Sequence, residues 1–493
     1  LPTYAKIKLN TKAMNRPEFR KTKIVATIGP ASDDPLTLKA MIAAGMNVAR
    51  LNLSFGTLAE QRQRIERIRA AARELGAPVA IMVDTRGIEI RTGRLHDGVT
   101  ELAPGSTFTL YIDERIGDAG GVSVSYRGLA EEVIPGQPIL LDDGAMELEV
   151  ESVSAPGIHC RVLHGGTLHE NKSVNLPETE LSLSALGPES REEVIRELGF
   201  AVDNDVEYVA ASFVQTADDL HKMREILKQR GADIAIIAKI ENKAGVAHLE
   251  AIVAAADGTM VARGDLGVEL PLAEVPRTQK KIIRTTVGNG KPVITATQML
   301  ASMEFNPKPT RAEASDVANA ILDGTSAVML SGETAMGRYP VAAVKTMATL
   351  AIRAEAALAE YGYLQKILRP PSNVVTEAVS QAATDMARQL KAAAIFSLTS
   401  TGFTARRISK HRPDCVILAI TASERVARRL AMNWGVIPLC YQEDWGDDAK
   451  IDFALDKARS LGYVRPGDIV IVTAGYGQKA GGTDLIRVIT LAG

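Results

Sequence analysis

A (β/α)8 TIM barrel, interrupted by an inserted β-barrel lid domain and followed by a C-terminal α/β domain, is the fold this sequence predicts. Eight strand-like apolar runs between residues 23 and 330 are each followed by a helical pattern, the count of a closed barrel. The runs are continuous rather than alternating, as parallel strands buried on both faces require. The rhythm breaks once, after the third run, where residues 87–171 turn to short β stretches split by Gly, Pro and Asp-Gly turns. An open doubly wound sheet rarely reaches eight repeats without changing direction, so the barrel is preferred.

Taken in order, residues 1–20 are polar with scattered Lys and Arg, and lack the apolar core of a signal peptide. Barrel strands are expected at 23–28, 47–51, 79–84, 206–213, 234–240, 259–262, 292–297 and 326–330. Helical spacing marks 58–75, 218–229, 243–256, 311–322 and 341–359; in 243–256 the stripe is Val246, Leu249, Ile252 and Val253. The insert contains VSVSY, PILLDDG, MELEVESV and HCRVLHGG. An all-β excursion at the catalytic edge of a barrel reads as a lid able to close over substrate. The partition is a segment 1–20, a barrel in two parts (21–87 and 172–360), an insert 88–171 and a C-terminal unit 361–493. That last unit has strands at 393–398, 416–421, 436–440 and 469–473, with a short closing run near 486–491.

At 493 residues a sizeable core is certain, and a net charge of −2 leaves no bulk attraction for nucleic acid or membrane. Any basic site must therefore be local. Cys160, Cys415 and Cys440 lie far apart and form no metal-ligand or disulfide pattern, which fits a reducing cytoplasm. No apolar run reaches membrane-spanning length.

The chemistry gathers in residues 232–270. Two apolar runs there end in charge, Lys239 and Glu241 on one, Arg263 and Asp265 on the next. In barrels the carboxyl edge of the strands is where ligands bind. Lys239 lies inside its run, so its ammonium needs a strong partner. Glu241 and Asp265 would be close neighbours of like sign, costly unless a cation lies between them. Two carboxylates with room for waters and phosphate oxygens suit Mg2+. Strand-end ion pairs in a solvated loop remain the bland alternative for any one of these charges alone.

Other strand ends agree. Alternation puts Arg50, Asn52 and Ser54 on one face of the second strand, and the third ends in Asp84 and Thr85, then Arg86, Glu89 and Arg91. Asn52, Ser54, Asp84 and Thr85 make a mostly uncharged oxygen cage, better for a weakly hydrated monovalent cation than for Mg2+. Strand seven offers the hydroxyls of Thr295 and Thr297, and Gly264-Asp265 opens a turn whose free N–H groups could hold a carboxylate or phosphate. Arg91 and Lys172, at the two ends of the insert, face back toward the barrel. In the C-terminal unit, small-residue loops from Thr399 to Thr404 and from Ala474 to Thr483 could cradle an effector phosphate. No Cys or Ser stands beside a His base. Fixed cations (Arg50, Lys239, Arg91) with a metal and no nucleophile fit phosphoryl transfer.

The motifs RKTKIVATIGPAS (20–32), AGMNVARLNLS (44–54), DTRGIEIRTG (84–93), KIEN (239–242), MVARGDLGVEL (260–270), ITATQML (294–300) and PTRAEASDVANAILDGTSAVMLSGET (309–334) closely resemble those of the pyruvate kinase family, in order and over nearly the whole chain. The resemblance implies phosphoryl transfer from phosphoenolpyruvate to ADP, the last step of glycolysis, by a cytoplasmic homotetramer open to control by a sugar-phosphate or nucleotide effector. It implies Lys239 as the transition-state lysine and Glu241 and Asp265 as ligands of Mg2+ (or Mn2+). It implies Arg50, Lys239, Gly264, Asp265 and Thr297 at phosphoenolpyruvate, with Thr297 near the protonation face. Arg91 and Lys172 match the nucleotide-phosphate contacts, and Asn52, Ser54, Asp84 and Thr85 match a K+ cage. A Glu where Glu89 stands accompanies K+ dependence, so K+ activation is expected.

Phe55 stands where the family usually has His, Arg86 and Ile88 replace its Lys and Pro, KSVNLPE at 172–178 replaces Lys-Gly-Val-Asn-Leu-Pro-Gly, and Phe403 occupies a usual Arg position. None of these touches Lys239 or the metal pair. Two rival readings are a Mg2+-dependent lyase acting on a 2-oxo acid, which would ignore ADP, and a catalytically silent sugar-phosphate sensor, which would have no need of Lys239.

Overall fold

The computed structural model describes residues 19–179, 181, 187, 190–362, 364, 374–441, 446–475 and 482–492. Eight parallel strands close into a barrel: Lys23–Thr27, Val48–Asn52, Ala80–Asp84, Tyr208–Ala211, Ala235–Ile240, Gly258–Ala262, Val293–Ala296 and Ala327–Leu330. Each pairs with its neighbours in sequence, and the last returns to the first. Nearly every residue of these strands is buried, which is why their sequences are unbroken apolar runs. One set of side chains (Val25, Val48, Met82, Ile237, Met260 and Ile294 among them) fills the barrel, and Met432 of the C-terminal domain joins that cluster. The alternate set packs outward against the helices in a larger core.

Local chemistry fixes where the helices start. Leu58–Glu74 opens on a reciprocal capping pair, Thr57 with Glu60, and Arg311–Leu322 on Thr310 with Glu313. Two expectations need correction. The single helix expected over 243–256 is two, Lys243–Ala247 and Leu249–Ala255, parted at His248, whose ring is hydrogen-bonded to the Gln215 carbonyl. The fourth strand stops at Ala211 rather than running to Phe213, because Phe213 takes a left-handed φ of 55° that an extended strand cannot accommodate.

The insert forms a six-stranded mixed sheet, running from Val174–Asn175 at one side to Gly121–Ser123 at the other, and a two-stranded ribbon of Val99–Leu102 with Gly166–His169. It has its own core, including Phe108, Leu110, Leu141 and Leu148. Its two ends leave the barrel as a paired stalk: Thr92 N–H donates to the Lys172 carbonyl and Val174 N–H to that of Ile90, both at 2.8 Å.

The C-terminal sheet orders as Val436–Cys440, Val416–Thr421, Ala394–Leu398, Ile469–Ala474 and Leu485–Thr490; the last strand alone is antiparallel. This domain docks on the amino-terminal end of the barrel. Lys23 Nζ donates to the Val436 carbonyl at 2.7 Å, and the Tyr208 hydroxyl donates to that of Arg429. Among the described residues no helix is long and apolar enough to cross a membrane.

Candidate active site

At the carboxyl end of the barrel, adjacent strands bring the charged residues together. Strand pairing sets Lys239 beside Met260 and Asn52 beside Asp84, so four strand ends converge on one mouth. Lys239 Nζ lies 2.8 Å from Glu241 Oε1, 3.2 Å from Asp84 Oδ1 and 2.7 Å from Ser212 Oγ. Asp84 Oδ2 takes Arg50 Nε at 2.6 Å, and Arg50 NH1 donates to Thr27 Oγ1 at 3.0 Å. Arg50, Asp84 and Glu241 are all buried.

Burial alone would lower the Lys239 pKa, but the charges of Asp84 and Glu241 outweigh it and raise the value, so the amine is a fixed cation. For Asp84 burial pulls upward, and Arg50 and Lys239 together bring the carboxyl below its ordinary range. Glu241 behaves differently. Burial raises its pKa, and the negative charge of Asp265 adds to that against the pull of Lys239. Asp265 is also raised, first by burial, with Glu89 and Asp143 of the insert contributing. The two carboxyls are close enough that each acts on the other's titration. A divalent cation between two buried carboxyls would offset their repulsion, so this donor pair fits Mg2+.

Thr297 and Gly264 also meet, though not as expected. The Gly264 N–H is not free: it donates to Thr297 Oγ1 at 2.8 Å. Thr297 carries a φ of 65°, rare for a β-branched residue. Arg263 holds it there, giving one N–H to the Thr297 carbonyl at 2.7 Å and another to the Ala296 carbonyl at 3.1 Å, with Asp316 2.8 Å from its remaining nitrogen.

In the expected monovalent-cation cage, Asn52 Oδ1 accepts the Ser54 N–H at 3.0 Å, and Thr85 Oγ1 sits 3.3 Å from the Ala210 carbonyl. Both Asp84 carboxylate oxygens are engaged by Arg50, Lys239 and Ser212. Arg86 explains its own presence. Its Nε donates to the Leu53 carbonyl at 2.7 Å, between Asn52 and Ser54, while Glu193 pairs with its other end. Phe55 is 71% exposed beside this loop.

Arg91 and Lys172 lie on the paired stalk of the insert, where Arg91 donates to the Asn171 carbonyl and pairs with Glu89, and Lys172 pairs with Asp142 at 2.8 Å. The two small-residue loops of the C-terminal domain also converge. A cleft of about 290 Å3 is lined by Thr399, Thr401, Thr404, Ser423, Lys450 and Thr483; residues 476–481 of the second loop lie outside the described residues. Arg407 stacks on the Phe403 ring at 4.8 Å.

Sequence reasoning passed over Ser212 and Phe213. Ser212 touches Lys239, Asp84 and Thr85, and the Phe213 N–H donates to Glu241 Oε2 at 2.6 Å. Ser212 closes the fourth apolar run as one small polar residue among many, and Phe213 carries no polar mark at all.

Two family models match the chain, "Pyruvate kinase, barrel domain" over residues 19–344 and "Pyruvate kinase, alpha/beta domain" over 377–489. A protein of Bacillus licheniformis named pyruvate kinase is 46% identical over 95% of this chain and 80% of its own length. One from Geobacillus stearothermophilus is 47% identical over the same shares. One from Clostridium acetobutylicum is 44% identical over 94% of this chain and 98% of the relative.

Proposed function

This chain belongs to the pyruvate kinase family, and on that premise we propose that its transfer of phosphoryl from phosphoenolpyruvate to ADP runs at the barrel mouth on Lys239, Arg50, Glu241 and Asp265. The observation that carries this reading is the Lys239 ammonium held within 3.2 Å of both Asp84 and Glu241. A fixed, buried cation beside the moving phosphoryl group lowers the barrier most when it is preorganised and water is excluded.

In this reading Arg50 and Lys239 bind the phosphoryl oxygens, and Gly264, Asp265 and Thr297 seat the carboxylate end of the substrate. Thr297, held in its left-handed conformation by Arg263, places its hydroxyl toward the face where the enol is protonated. Arg91 and Lys172 bind nucleotide phosphate as the insert closes on its paired stalk. Glu241 and Asp265 would hold Mg2+, which when bound neutralises charge on the transferred group. Asn52, Ser54, Asp84 and Thr85 would hold K+, with Arg86 fixing the Leu53 carbonyl between the first two. The C-terminal cleft takes a phosphorylated effector against Lys450 and the threonine hydroxyls. A cytoplasmic homotetramer completes the reading.

The test is pyruvate release measured with and without ADP, Mg2+ and K+. Release that is strictly ADP- and Mg2+-dependent and stimulated by K+ is the expected result. Pyruvate formation from a 2-oxo acid without nucleotide would favour the lyase, and no turnover at all the sensor.

A further inference from the structure

Ser212 has no part in the assignments above, yet it sits at their centre. It is 1% exposed, at the carboxyl end of the fourth barrel strand. Its Oγ accepts from Lys239 Nζ at 2.7 Å and lies 2.7 Å from the Thr85 carbonyl and 3.2 Å from Asp84 Oδ1, to which its own proton can be given. The Ser212 N–H is fixed in turn by Thr85 Oγ1 at 3.2 Å.

The ammonium has three N–H donors and three acceptors in reach: Ser212 Oγ, Glu241 Oε1 and Asp84 Oδ1. Two of these have other claims on them. Asp84 also takes Arg50, and Glu241 faces Asp265. Ser212 is the neutral acceptor, and its backbone cannot drift. Phe213 beside it is left-handed at φ 55°, and a Cβ on Gly87 would lie 2.7 Å from the Ser212 Cβ and 2.5 Å from the Phe213 ring, so the corner closes only over a glycine.

We propose that Ser212 is a positioning residue for phosphoryl transfer: it pins one N–H of Lys239, anchoring the ammonium when phosphoryl oxygens compete with Asp84 and Glu241 for the other two. The proposal rests on the reading of Lys239 as the cation that meets the phosphoryl group. A displacement of a fraction of an ångström in such a group is enough to cost rate, because the stabilisation depends on preorganised geometry.

A double-mutant cycle tests it, with kcat and KM for phosphoenolpyruvate measured for the parent, Ser212→Ala, Lys239→Met and the pair, and residual turnover followed in long incubations at high enzyme concentration. Ser212→Ala is expected to lower kcat about 10- to 100-fold, the worth of one hydrogen bond to a charged group, with KM changed by less than about threefold. In the Lys239→Met background the same change should alter residual turnover by less than about twofold, since the group it acts through is gone. Equal losses in both backgrounds, a loss carried by KM alone, or no loss would overturn the proposal. Parent-like turnover by Lys239→Met would instead sink the reading beneath it. Should Ser212→Ala fail to fold, Ser212→Cys fills the same space with a poor acceptor and must show the kcat loss; a parent-like kcat there overturns the assignment equally.

Discussion

The two ends of the barrel both bury carboxylates against arginine and lysine, and they do so to different effect. At the foot, Glu207 precedes the fourth strand. Its Oε1 takes Arg69 at 2.8 Å and Arg428 at 2.6 Å, and its Oε2 takes Arg69 at 3.0 Å and the Ile81 N–H at 2.7 Å. One acid meets two guanidiniums and a backbone donor, and nothing is left to bind a ligand. At the mouth, three acids (Asp84, Glu241 and Asp265) face Arg50 and Lys239 as the cations among the described residues, because Arg263 is turned away to Asp316. The surplus is negative, and burial raises the pKa of both Glu241 and Asp265. Burial of charge alone therefore does not mark a site. An unbalanced count does.

The sharpest way to break this comparison is to remove one charged side chain from each end. Lys239→Met should cut ADP-dependent pyruvate release by about a thousandfold or more, even under conditions where the folded protein is fully populated. Glu207→Ala should do the reverse in kind. Removing the carboxylate leaves the buried Ile81 N–H and two half-buried guanidiniums short of an acceptor and should cost about 1–3 kcal/mol of stability, read as a lowered denaturation midpoint, with kcat within about threefold of the parent. If Glu207→Ala lost turnover as steeply as Lys239→Met, the division between a structural foot and a chemical mouth would fail.

How much of this was legible in the sequence follows from the range of the forces involved. The barrel strands show because burial on both faces writes an unbroken apolar run, and Lys239, Glu241 and Asp265 show because charge ending such a run is conspicuous. Phe213 does not show: its left-handed turn, which ends the fourth strand two residues early, has no glycine to announce it. Ser212 looks like any small polar residue until Lys239 of the next strand is placed 2.7 Å away. Glu207 was invisible as a clamp, since its partners Arg69 and Arg428 lie 138 and 221 residues away in the chain. The Gly264 N–H was read as free because its partner, Thr297, is supplied by another strand.

A divalent cation separates the two ends by a smaller margin. Mg2+ at about 100 times its dissociation constant should add about 2.7 kcal/mol of stability, seen as a raised unfolding midpoint. Asp265→Asn should lose that gain, and Glu207→Ala should keep it on its lower baseline. The gain should also shrink as pH falls, because burial raises the pKa of Glu241 and Asp265 and protons then compete with the cation for them. An Mg2+ response indifferent to Asp265→Asn would place the metal elsewhere.

A further contrast lies at the foot, where among the described residues a cation is buried without a carboxylate in contact. Lys23 is 3% exposed and donates to the Val436 carbonyl across the seam between barrel and C-terminal domain. Burial first, and the charge of Arg20 next, bring its pKa down from 10.5 to about 7, against the weaker opposing pull of Glu355. Between those values the unfolded chain holds a proton that the folded chain has released, so stability rises with pH from about 7 to 10.5 and is lowest below that window. The slope from this one group is at most about 1.4 kcal/mol per pH unit. Lys23→Met removes the titration and should flatten that part of the profile in denaturation midpoints taken from pH 7 to 10, while a protein whose profile is unchanged would mean that the seam opens to water and leaves the amine solvated. The foot tolerates such a neutral amine because a carbonyl accepts from it in either protonation state, whereas the acids around Lys239 at the mouth keep that amine charged.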